Sequence, residues 1–184
     1  MTMKRKFFLA FLSLGLMTFA NAQTIKISEP EFAGSMVYVN DTIGSGIPLE
    51  KQVCSMKTKA GASMYIVGVG KVTSSCVVKG KSSPVRIQKK ENLQFIIRVT
   101  DNSVDPSTII NVFKLTEKKD TRTVELASAG TFQASKSNDI QYLPFVGKKY
   151  GDSSYLIEIS SIETGEYAIT LPERRDLFYM FGVE

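Results

Sequence analysis

The chain has 184 residues, 43% hydrophobic and 22% charged, with 23 lysines and arginines against 18 acids and a formal net charge of +5. That length and balance suit one globular domain or two small ones, not a chain disordered throughout. Histidine is absent, which excludes Ser-His-Asp and Cys-His nucleophile systems and every His-containing zinc site.

Lys4, Arg5 and Lys6 precede an apolar run from Phe7 to Phe19 and the small-residue pattern Ala20-Asn21-Ala22. These are the three parts of a secretory signal peptide, with cleavage expected after Ala22. The apolar run is too short to span a bilayer, and no later stretch approaches 18 apolar residues. No cysteine follows the cleavage point, so a lipid anchor there is not expected. Residues 23–184 are read as a single exported domain. The leader removes three positive charges and no acid, which reduces the +5 of the whole chain to +2.

From there the apolar segments are short and alternate with period 2, the mark of half-buried strands. Strands are predicted near 24–28, 35–40, 48–57, 63–70, 74–79, 84–89, 93–100, 108–115, 121–127, 154–161, 165–171 and 176–183. Turn signals such as Gly44-Ser45-Gly46, Ser82-Ser83-Pro84, Asp105-Pro106 and Thr164-Gly165 separate them. Little helix is expected, one turn at most near 139–150. Strands at such intervals imply an all-β sandwich, immunoglobulin-like in architecture. An outer-membrane barrel is the competing reading, but the strands are too short for it. The last strand, Leu177 to Val183, is apolar on both faces and belongs inside a sheet. Gly165 can adopt a positive φ at a hairpin, after which Tyr167 points inward with Ile169.

Cys54 and Cys76 are the only cysteines. In an exported protein an even count favours a disulfide, which here closes a loop of about 22 residues; two buried free thiols are the alternative. Gly70-Lys71 and Gly80-Lys81 lack the glycine five residues upstream that a phosphate-binding loop requires, since Tyr65 and Ser75 stand there. Glu158, Glu163, Glu166, Glu173 and Asp176 cluster in the last third, where a pair acting on a glycan would be sought. Asp101 and Asp105 offer too few oxygens for calcium and fit Asx-turns instead. No catalytic residue, cofactor or metal-ligand set is assigned.

The charge distribution is the most informative feature. Lys51, Lys57, Lys59, Lys71, Lys79, Lys81, Arg86, Lys89 and Lys90 occupy residues 51–90 without one acid, while the remainder after the leader has 11 basic and 18 acidic residues. Two outcomes are open. Lys57, Lys59, Lys71, Lys79, Lys81, Arg86, Lys89 and Lys90 form a basic face for an anionic polysaccharide or an acidic envelope protein, or acidic strands pack beside them and neutralise them. Nucleic acid is not expected as a partner of an exported chain near +2.

Leu49-Glu50-Lys51-Gln52, Gly80 with Ser82-Ser83-Pro84-Val85-Arg86, Phe95-Ile96-Ile97-Arg98-Val99, Asp105-Pro106, Lys149-Tyr150-Gly151, Ser154-Tyr155, Gly165-Glu166-Tyr167-Ala168 and the terminal Phe181-Gly182-Val183 together resemble exported all-β proteins of unknown function from Bacteroidota-type bacteria. The resemblance covers most of the chain after the leader and implies no activity. Asp41-Thr42-Ile43 is similar to the short acceptor pattern for O-glycosylation in such bacteria. The function expected is a non-catalytic binding or assembly module of the bacterial cell envelope. A carboxylate-dependent glycan hydrolase and a structural subunit pairing through edge strands are the alternatives.

Overall fold

A computed structural model describes residues 27–130, 133–137 and 140–184; the expected leader and most of the strand expected at 24–28 lie outside them. The fold is an all-β sandwich of antiparallel sheets. One sheet has five strands: β1 (Met36–Asn40), β2 (Ser45–Pro48), β7 (Asn92–Arg98), β11 (Val146–Tyr150) and β12 (Ser154–Ser160), in the order β11-β12-β7-β1-β2. The other has nine: β3 (Glu50–Val53), β4 (Ser55–Ala60), β5 (Lys71–Lys79), β6 (Arg86–Ile87), β8 (Asn111–Glu117), β9 (Thr121–Gly130), β10 (Gln133–Ser137), β13 (Gly165–Thr170) and β14 (Leu177–Val183). Its main path runs β3-β14-β13-β8-β9-β5-β4, with β10 beside β9 and β6 parallel to β14. This exceeds the seven to nine strands of an immunoglobulin sandwich.

Period-2 alternation produces the main core. Phe95, Ile97, Tyr155, Ile157 and Ile159 from the smaller sheet meet Tyr167, Ile169, Tyr179, Phe181 and Val183 from the larger, all buried. Phe95 and Phe181 link the layers, with ring centroids 4.8 Å apart. Burial of each such side chain contributes about 1.5–3 kcal/mol. The opposite faces are buried too. Ile96, Leu156 and Val39 form a small cluster behind the smaller sheet, with Ile27 packed against it, which accounts for the apolar residues at these outward positions of β7 and β12.

Behind the larger sheet lies a second core. Cys54 alone separates β3, which pairs with β14, from β4, which pairs with β5. The path therefore returns to its own start and encloses Cys76, Val78, Phe113, Leu115, Val124, Ala168, Phe178 and Met180. Gln52 closes the seam: its side chain accepts from Lys79 N and donates to Lys79 O, each at 3.2 Å. The Cys54–Cys76 disulfide, Cα atoms 5.6 Å apart, staples the same junction. β14 sits between β3 and β13 with Phe178 and Met180 in one core and Tyr179 and Phe181 in the other, as its two-sided apolarity requires.

Several local expectations are corrected. Residues 63–70 are not a strand: α1 (Ala62–Val67) forms there, ended by Gly68 at φ 68. The reason is connectivity, because Ala60 and Val72 are paired antiparallel and the chain between them must reverse. No helical turn occurs among residues 140–150; Val146–Tyr150 is strand β11, held by β12. Residues 48–57, expected as one strand, are divided at Leu49 and Cys54, and Ser45 and Gly46 of the expected Gly44-Ser45-Gly46 turn open strand β2. Short helices occur at α2 (Pro106–Ile109) and a 3-10 turn at Pro172–Arg174. Gly165 has φ 145 and Tyr167 is buried beside Ile169, as expected.

Candidate functional site

Beyond the enclosed core, β4, β5 and β9 continue as an arm. On its outer length, residues 55–60, 71–75 and 125–129 include none that is buried, while Cys76 and Val124 mark where the core begins. β10 extends the same ladder along β9. The connection from Gly61 to Gly70 forms the tip. Gly61 N donates to Lys71 O at 3.0 Å and Met64 N to Gly61 O at 2.9 Å, which closes the reversal. Gly70 lies so close to the helix that a Cβ on it would sit 2.9 Å from Ser63 Oγ.

The tip presents its apolar side chains to solvent. Tyr65 is 79% exposed, Ile66 81% and Val67 66%, with Val69 also in water. No residue of α1 is buried. Scattered apolar residues on a surface are ordinary, but contiguous ones mark an interaction surface.

Lysines flank this tip. The β4–β5 register places Lys57 opposite Ser75 and Lys59 opposite Thr73, and the Gly61–Lys71 bond continues it. Alternation puts Lys57, Lys59 and Lys71 on one face of the hairpin. Lys71 pairs with Glu125 at 3.3 Å, the single acid in the sequences of β4, β5, β9 and β10. Lys57 and Lys59 are exposed and within ion-pair distance of no carboxylate among the described residues.

The eight basic residues singled out in the sequence do not converge on one surface. Lys57, Lys59 and Lys71 belong to the arm, and Lys79 and Lys81 lie at the far end of β5. Arg86 and Lys90 are drawn into ion pairs. Arg86 contacts Glu166 at 2.5 Å and Glu184 at 3.0 Å, while Lys90 contacts Asp41 at 3.1 Å. Lys89 is exposed beside them and uses its backbone N–H to bond Glu184 O at 2.8 Å. Cross-strand neutralisation and an unpaired basic group thus coexist, separated along β5.

The acids of the last third are dispersed. Glu166 is buried and accepts from Ser83 N at 2.7 Å; Glu158 accepts from Gln94 at 2.7 Å; Glu163 faces Lys114 at 3.5 Å; Asp176 pairs with Arg174 at 3.1 Å. Asp101 accepts from Ser103 N at 3.0 Å, and Asp105 caps α2 through Ser107 N at 2.9 Å, as Asx-turns do. Among the described residues no group of three or more acids and cysteines is placed to hold a metal ion.

Sequence reasoning did not find an ionic plug that fills one end of the enclosed core. Arg122 is fully buried and donates to Glu50 at 2.8 and 2.9 Å, to Glu166 at 3.4 Å, and to the carbonyls of Lys79 and Gly80 at 3.1 Å. Its position between Thr121 and Thr123 on an inward-facing period was the available signal. β8 and β9 share only the pairs Thr116–Thr123 and Glu117–Arg122, at this same end. They splay to leave a cavity of about 320 Å³ lined by Phe113, Phe178, Val124, Leu126, Tyr142 and Arg175, among others.

No protein-family model matches the chain, and no curated protein matches it.

Proposed function

We propose that the protein is an exported, non-catalytic binding or assembly module of the bacterial cell envelope, and that the tip of the β4–β5 arm is its binding element. The observation carrying this reading is the contiguous exposure of Tyr65, Ile66 and Val67 at the end of a β4–β5 hairpin whose outer residues, 55–60 and 71–75, include none that is buried. A surface of that kind is retained at a cost in solubility, which a binding role offsets. Lys57 and Lys59, which have no carboxylate partner among the described residues, favour an anionic partner. Export is supported by the leader-like first 22 residues and by the Cys54–Cys76 disulfide, a bond that persists in oxidising compartments. Among the described residues, no helix is long and apolar enough to cross a membrane.

Edge-strand pairing draws less support from the geometry. β2 has four residues and ends at Pro48, β11 carries Lys148 and Lys149, and β4 carries Lys57 and Lys59; proline, lysine and short length are the devices that blunt edges.

The test is sedimentation with envelope fragments of the producing cells. Wild-type protein is expected in the pellet, and Ile66→Asp, at an exposed position, should lower its affinity by about tenfold or more. Equal sedimentation of the two would remove the tip from the account. An intact mass beginning at Gln23 for protein recovered outside the cytoplasm checks export.

A further inference from the structure

We infer that the arm tip docks on the surface of a phospholipid bilayer rich in anionic head groups, an inference that rests on the binding reading above and names its partner. Three observations converge. The tip projects into solvent: no residue of α1 is buried, and Tyr65, Ile66, Val67 and Val69 are all exposed. A fluid interface accommodates such a wedge without a preformed complementary cavity, whereas a folded protein partner must supply one.

The side chains are also of the right kind. Ile66 and Val67 are aliphatic and suit the acyl boundary, while Tyr65 has an apolar ring and a polar end, the combination enriched at membrane interfaces.

Charge is the third observation. Lys59 and Lys71 stand within two residues of the connection, Lys57 follows on the same face, and residues 51–90 contain no acid. Apolar insertion flanked by lysines is the pattern that binds anionic leaflets, each lysine adding attraction that falls off within a Debye length. Glu125 offsets Lys71, so the attraction falls mainly to Lys57 and Lys59. The same two lysines disfavour docking of one tip on that of a second copy, because four like charges would face one another.

Vesicles of phosphatidylglycerol mixed with phosphatidylcholine, compared with phosphatidylcholine alone, test this by co-sedimentation of the full chain without its leader. Wild type should bind the mixed vesicles and be released by moderate salt. Ile66→Asp should bind at least about tenfold more weakly, and Lys57→Gln with Lys59→Gln should weaken binding and flatten its salt dependence. All three substitutions lie at exposed positions, and an unchanged urea midpoint shows that the variants fold. Absence of wild-type binding to mixed vesicles overturns the inference, as does undiminished binding of Ile66→Asp. Tip-dependent binding to envelope fragments without binding to vesicles leaves the binding reading intact and transfers the tip to a protein or polysaccharide partner; failure of both removes both. Concentration-dependent dimerisation abolished by Ile66→Asp would also overturn the bilayer assignment in favour of a second copy.

Discussion

Arg86 lies across Gly182, so that a Cβ on Gly182 would fall 1.7 Å from Arg86 Nη1 and 2.6 Å from Glu166 Oε1. The bare backbone of β14 is what lets the guanidinium reach Glu166, which is 2% exposed, while also bonding Glu184. Gly182→Ala should push Arg86 toward solvent and leave Glu166 with Arg122 at 3.4 Å as its remaining cation. A loss of about 1–3 kcal/mol is expected in urea denaturation. Wild-type stability in this variant would show that the contact contributes nothing.

The ionic plug at the end of the enclosed core predicts a larger effect. Removing one partner of a buried ion pair leaves an uncompensated charge and costs about 3–5 kcal/mol. Arg122→Met, which strands Glu50 and leaves Glu166 with Arg86 as its one remaining cation, should destabilise by that amount, and adding Glu50→Gln should restore part of it. A double-variant cycle by chemical denaturation measures the coupling.

Glu50 also carries a pH dependence. Burial pushes its carboxyl up, but hydrogen bonds from Arg122 and Gln52 outweigh burial and hold it below the ordinary glutamate value. A folded-state pKa lowered in this way adds stability that is fully present above the unfolded value and is lost as pH falls through the folded one. The urea midpoint should therefore drop on acidification below about pH 4, and Glu50→Gln should drop less. An equal acid dependence in both proteins would assign the effect to other carboxylates.

The disulfide closes a loop with a sequence separation of 22 at the seam between β3 and β4. Cross-linking a loop of that size contributes about 3 kcal/mol. Cys54→Ala with Cys76→Ala should lower stability by about that much while far-UV circular dichroism stays that of a β protein. Loss of all fixed structure would make the bond a condition of folding.

The layers were legible because alternation is a physical requirement of a half-buried strand: Phe95, Ile97, Tyr155 and Ile157 had to share a face. The disulfide and the interior place of β14 were legible for similar reasons, namely residue chemistry and two-sided apolarity. The arm was not. Met64 to Val67 is β-branched and apolar enough to read as a strand, and only the pairing of Ala60 with Val72, a tertiary fact, forces a turn and leaves those side chains in water. The basic stretch was visible as a charge count, but its division into a neutralised part and a free part depends on where Glu166, Glu184 and Asp41 arrive from distant strands.

The chain contains no tryptophan, so Tyr65→Trp places a single indole emitter at the tip and reports directly on whether the tip enters a bilayer. Mixed with phosphatidylglycerol-containing vesicles, its emission should move to shorter wavelength and become shielded from acrylamide, and neither change should occur with phosphatidylcholine alone. An emission maximum and quenching that stay those of an indole in water, at vesicle concentrations that saturate any binding, would contradict the assignment of the arm tip as the membrane-docking element.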